Sequence, residues 1–164
     1  MNLIKYLLLI LLIGGVFSQG NFQILNIPPS TRALALSNSG HAMNDFTNSY
    51  NPASINSTKK NINIHSHIYP GDIVYLRSEI IIPINSNIYS FEYATLDYGK
   101  FKDAETNNSF NASEFLLKGS IKTHILDKFS IGGSGAYSLN KISDEFAQAL
   151  LISFGLRTQR DNPR

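Results

Sequence analysis

The run Phe129–Leu139, FSIGGSGAYSL, decides the fold class. Phe129, Ile131, Tyr137 and Leu139 fall on one parity, and Ser130, Gly132, Ser134, Ala136 and Ser138 on the other. Successive side chains of a β-strand point to opposite faces, so this pattern predicts a strand with one large apolar face and one small, polar face. The same period recurs upstream from Lys60 and downstream to Arg157. Lys60–Tyr69 sets Ile62, Ile64 and Ile68 against Asn61, Asn63, His65 and His67. Ile73–Ile84 sets Val74, Leu76, Ile80, Ile82 and Ile84 against Tyr75, Arg77 and Glu79. Ile88–Tyr98 sets Tyr89, Phe91 and Tyr93 against Ser90, Glu92 and Ala94. Ala112–Leu126 sets Phe115, Leu117, Ile121 and Ile125 against Glu114, Lys118, Lys122 and His124. Phe146–Arg157 sets Phe146, Leu150, Ile152, Phe154 and Leu156 against Ala147, Ala149, Ser153 and Gly155. Turn residues separate the runs, notably Pro70-Gly71-Asp72 and Asn85-Ser86-Asn87. The expectation is an all-β protein of about six antiparallel strands.

A soluble sandwich and a membrane barrel share this alternation, and strand length separates them. The runs span about 11 to 15 residues, against roughly 5 to 6 in ordinary sheets. A tilted strand that crosses a bilayer needs about 9 to 11 residues plus overhang. The connections at 85–87 and 127–128 read as tight, whereas 99–111 reads as long, charged and Asn-rich. Outer-membrane barrels pair short periplasmic turns with longer external loops, and a periplasmic N-terminus gives this chain that arrangement. The apolar faces then point to lipid, and the small and polar faces line the interior. Six strands fall short of the roughly eight of the smallest familiar barrels, so the chain is expected to be the N-terminal part of an incomplete transmembrane β-barrel.

The beginning of the chain gives the compartment. Met1 to Gly20 carries one early cation, Lys5, then an uncharged run from Tyr6 to Phe17, then Ser18-Gln19-Gly20. This is the three-part pattern of a secretory signal peptide, with cleavage expected after Ser18. Its apolar core of about 12 residues is short for a spanning helix, which needs roughly 20. Residues 1–18 are therefore expected as signal peptide, 19–59 as an N-terminal segment, 60–157 as strands and 158–164 as a polar tail. There is no cysteine, which excludes a lipoprotein, a disulfide staple and thiolate chemistry. About 145 residues remain after cleavage, enough for one domain. Of the whole chain, 43% is hydrophobic and only 16% charged. The net charge of +2 comes without a basic cluster, so nucleic acid is not expected as a partner.

Candidate sites are few. His65 and His67 lie two apart on one strand face, but a metal needs three or four ligands and no acid stands nearby in sequence. Both are expected as polar residues facing the lumen, with no metal and no other cofactor. Arg77, Glu79, Glu92, Lys118 and Lys122 also point inward. They can form a network that selects solute or holds a plug, while the wet interior of a barrel favours ordinary solvated charge. No strained Gly-flanked serine with triad partners, no phosphate loop and no carboxylate pair in a catalytic setting occurs, so no catalytic residue is expected.

The remaining stretch is Phe22–Asn56, FQILNIPPSTRALALSNSGHAMNDFTNSYNPASIN. Pro28-Pro29 enforces extended backbone, Ser30 is placed to cap a short helix over Thr31–Ser37, and Asn51-Pro52 is placed to open a second turn. The apolar lead-in Phe22, Ile24 and Leu25, then Ser30, Arg32-Ala33, Leu36, Gly40, Asp45 and Asn51-Pro52-Ala53, resemble in order and spacing the mature start of PorV/PorQ-like proteins. These form a branch of the FadL-like bacterial outer-membrane β-barrels. Ser37, Asn38 and Phe46 depart from the family, which has small glycines and a second acid there. The resemblance implies that residues 19–59 fold as a hatch in or beneath the barrel mouth. Arg32, Asp45 and Asn51 would be hatch-to-wall contacts, with Pro52 fixing a turn. It implies an accessory role in type IX protein secretion or FadL-like passage of hydrophobic solutes. The partners would then be outer-membrane lipid, with secretion-system components and exported proteins or hydrophobic small molecules. A secreted soluble β-sheet binding module and a non-functional barrel fragment are the alternatives.

Overall fold

A computed structural model describes residues 22–35, 51–102, 108–126 and 129–158. The signal-peptide expectation, Asp45 and the tail beyond Thr158 lie outside the described residues. The strands are β1 (Asn61–Tyr69), β2 (Ile73–Ile84), β3 (Asn87–Lys102), β4 (Ser109–Leu126), β5 (Phe129–Ile142) and β6 (Glu145–Thr158). They form one antiparallel six-stranded sheet in the order β1-β2-β3-β4-β5-β6, each strand paired with its sequence neighbours. The sheet is not closed, since β1 and β6 have no partner on their outer edges among the described residues.

The turns carry the backbone conformations their residues allow. Gly71 and Asp72 adopt positive φ of 84° and 61° between β1 and β2. Asn85 and Ser143 adopt 54° in the two-residue connections that follow β2 and β5. Asparagine enters this region at low cost because its short polar side chain can bond locally.

Residues 99–111 correct an expectation. Instead of a long loop, β3 and β4 continue past Tyr98, with Lys100 opposite Asn111, Phe101 opposite Phe110 and Lys102 opposite Ser109. A register shift between Asp97 and Lys100, with Gly99 at a φ of 79°, interrupts the alternation and lets the ladder resume beyond it. The rings of Phe101 and Phe110 then stack at 5.5 Å across the strands, an attractive cross-strand pair. Only residues 103–108 separate the two strands.

The two faces of the sheet differ in chemistry and in burial. One face is bare and apolar: Leu150, Ile152 and Phe154 on β6 are 85%, 77% and 87% exposed, and Ile68 on β1 is 80% exposed. Tyr93 and Phe115 meet edge to face on it at 5.5 Å. The other face carries Arg77, Glu79, Glu92, Glu114 and Lys122, all buried. The N-terminal segment covers it. Its described parts hold a 3₁₀ turn at Gln23–Leu25, a short helix α1 (Thr31–Ala35) and a second 3₁₀ turn at Pro52–Ser54. Helix α1 starts as expected, with the Ala33 amide donating to Ser30 Oγ at 3.1 Å. Among the described residues, no helix is long and apolar enough to cross a membrane.

Candidate functional site

The site is the seam between the N-terminal segment and the covered face, and it has two parts. At one end, Ile24 sits in a cluster with Tyr75, Ala94, Leu96 and Leu116, with Ile27 and Tyr98 packed beside it. Burying one such side chain contributes about 1.5–3 kcal/mol. Around this anchor the sheet holds the segment by its backbone. The amides of Gln23 and Ile24 donate to the two carboxylate oxygens of Glu114 at 3.1 and 2.9 Å. Tyr98 donates its hydroxyl to the same carboxylate at 2.6 Å, which fixes its orientation. The Pro29 carbonyl accepts from the Arg77 guanidinium at 3.0 Å. Hydrogen bonds with one charged partner are roughly twice as strong as neutral ones.

Arg77 is the centre of a buried ion network. Its Nε donates to Glu92 at 2.8 Å and its Nη2 to Glu79 at 3.2 Å, and all three side chains are at most 3% exposed. Glu79 and Glu92 stand directly opposite each other on β2 and β3. Two carboxylates in that relation repel, and the planar guanidinium between them resolves the conflict by serving both. Asn63 adds a 3.5 Å contact to Glu79. Glu92 in turn faces Lys118 across β3 and β4. Arg77, Glu79, Glu92 and Lys122, expected as solvated charge, are buried, and carbonyls of the N-terminal segment, those of Pro29 and Ile55, lie against Arg77 and Lys122. Lys118 lines the adjoining cavity described below.

At the other end, Asn51-Pro52-Ala53 is seated in a notch made by two glycines. Gly132 and Gly155 are register partners on β5 and β6. A Cβ on Gly132 would overlap the backbone of Pro52 and Ala53, and one on Gly155 would overlap the Asn51 side chain. Asn51 caps the turn by accepting from the Ala53 amide at 2.9 Å and reaches the wall by donating to the Leu156 carbonyl at 3.2 Å. Three further bonds run from the sheet to carbonyls of this stretch: Ser130 to Ala53 at 3.3 Å, Arg157 to Ser54 at 3.3 Å and Lys122 to Ile55 at 2.7 Å, and Ile55 packs on Ile81 and Ile88.

The sequence-expected residues thus divide. Asn51 and Pro52 lie in the seam, and Arg77, Glu79, Glu92 and Lys122 meet or support it. Arg32 falls in α1, and Asp45 lies outside the described residues. His65 and His67 lie on the covered face of β1, where the His67 ring stacks on Tyr75 at 5.8 Å and its Nε2 has no hydrogen-bond partner among the described residues. Among the described residues, no three His, Cys, Asp or Glu side chains gather as a metal would require. Sequence reasoning missed Glu114, Tyr98, Gly132 and Gly155 as contacts. The parity of Glu114 identified its face, but its partners lie about 90 residues away in the chain. Between the Ile24–Pro29 stretch and the wall a cavity of about 200 Å³ remains, lined by Ile27, Tyr75, Leu116, Ala136 and Leu151, with Glu92, Lys118 and Ser153 as its polar groups. Compared with family models, curated proteins and solved structures, the chain matches none of them.

Proposed function

We propose that this chain forms the wall and hatch of an outer-membrane β-barrel of PorV/PorQ type, exported by its signal peptide, with a role in type IX protein secretion or FadL-like passage of hydrophobic solutes. One observation carries the proposal: the sheet is inverted, with its large aliphatic and aromatic residues on the bare face and its arginine, lysine and glutamates buried on the other. In water that arrangement forfeits the hydrophobic effect on one side. In a bilayer the acyl chains cover the bare face, and the polar face lines the interior. The N-terminal segment, held to the polar face through Glu114, Arg77, Lys122 and the glycine notch, fills the role of a hatch. The motif from Phe22 to Ala53 supports the family. Lipid tolerates no open sheet edge, so in this reading β1 and β6 pair with strands beyond those described.

The test is fractionation of cells expressing the full chain. Recovery in the outer-membrane fraction, resistant to alkaline carbonate and released by detergent, is the expected result. Recovery in the soluble periplasm without detergent overturns the proposal in favour of a secreted β-sheet module.

A further inference from the structure

The wall grips the hatch by backbone atoms, and this has a consequence for what else can bind there. Glu114 takes two consecutive amides, those of Gln23 and Ile24. Arg77 takes the Pro29 carbonyl. The two amides converge on one carboxylate because Gln23–Leu25 is a 3₁₀ turn, and any chain that forms such a turn presents the same amides, so these contacts do not distinguish the hatch from another polypeptide that turns there. Side-chain selection is limited to the apolar socket of Tyr75, Ala94, Leu96 and Leu116 that receives Ile24. The groups that do the gripping are preset. Tyr98 orients Glu114, and Glu79 and Glu92 hold the guanidinium of Arg77. The hatch also underfills the wall, leaving the cavity of about 200 Å³ beside Ile24–Pro29.

From this geometry we infer that residues Phe22–Ser30 occupy a polypeptide-binding site on the wall, and that the site's ligand is an uncharged peptide segment that forms a 3₁₀ turn, as Gln23–Leu25 does, with one branched apolar residue for the Ile24 socket. The hatch is its resident stand-in. The second anchor, Asn51–Ile55 in the glycine notch, holds the N-terminal segment to the wall when Phe22–Ser30 leaves. The inference rests on the barrel-and-hatch reading for its setting and adds to it the class of molecule received.

The experiment uses the full chain in detergent micelles carrying Ile24→Asp, which puts a carboxylate into the apolar socket and frees the site. Ile24→Ala serves as a milder second variant. The probe is a fluorescent peptide of the Phe22–Ser30 sequence, with a control N-methylated at the nitrogens of the positions equivalent to Gln23 and Ile24. Each amide bond to a charged acceptor is worth about 1.5–3 kcal/mol, so methylation is expected to weaken binding at least about tenfold. The expected result is tighter binding to either variant than to the unaltered chain by about tenfold or more, loss of that gain with the methylated peptide, and weakened binding when Glu114→Gln is added. Equal binding of both peptides, or displacement by a simple alkyl amphiphile with no effect of methylation, overturns the inference in favour of an apolar amphiphile site. So does the absence of binding by variants that still fractionate with the membrane. That last result leaves the barrel reading standing, whereas a chain found soluble sinks the barrel reading itself.

Discussion

At the scale of residues, the charged groups on the covered face are matched to partners and not to water. Arg77 lies between two carboxylates that its removal would leave buried and opposed. Arg77→Met is expected to destabilise the fold by about 3–5 kcal/mol, the usual cost of orphaning a buried ion partner. Adding Glu79→Gln and Glu92→Gln to the same chain should recover much of that loss. Denaturant unfolding in detergent measures both, and a lone Arg77→Met that unfolds like the parent contradicts the network. Glu114 gives a finer test. Glu114→Gln retains the shape of the side chain but removes its charge, and the amides of Gln23 and Ile24 should exchange their hydrogens about tenfold faster or more. Unchanged exchange would mean that the carboxylate does not hold the segment. The glycine notch tolerates no side chain: Gly132→Ala places a Cβ against Pro52 and Ala53. Because the chain has no cysteine, a single Cys at Ala53 can report the outcome. It is fully buried in the parent and should become reactive to a maleimide when Gly132→Ala unseats the turn.

At the scale of elements, the strands were legible and their covering was not. A period of two is a local property, so the sequence assigns the residues of β2 to their faces, and the run at Phe129–Leu139 starts where β5 starts. The continuation of β3 and β4 was hidden because a bulge at Asp97–Lys100 breaks the alternation in a stretch of charged and Asn residues that reads as loop. The seam was hidden for a different reason. Gly132 and Gly155 become one notch only through the β5–β6 register, and Glu114 meets Ile24 across 90 residues of chain. Parity therefore places Glu114, Arg77 and Lys122 on one face but does not tell a solvated face from a covered one. The bare face offers its own test. Ile152→Arg on β6 is expected to cost about 2–4 kcal/mol of insertion near the bilayer midplane. On the surface of a soluble sheet the same change would stay within about 0.5 kcal/mol. The yield of heat-modifiable, membrane-inserted protein distinguishes the two.

At the scale of the whole molecule, the proposed barrel requires that the bare apolar face meet lipid and that the charged face with its N-terminal cover not do so. Strand β6 tests it residue by residue, since Leu150, Ile152 and Phe154 lie on the bare face and Leu151 and Ser153 on the other. Single cysteines at these five positions, labelled with a small fluorophore, can be read in bilayers whose acyl chains carry bromine quenchers. Strong quenching is expected at Leu150, Ile152 and Phe154 and little at Leu151 and Ser153. Quenching that is absent at all five, or equal at all five, would contradict the proposed barrel.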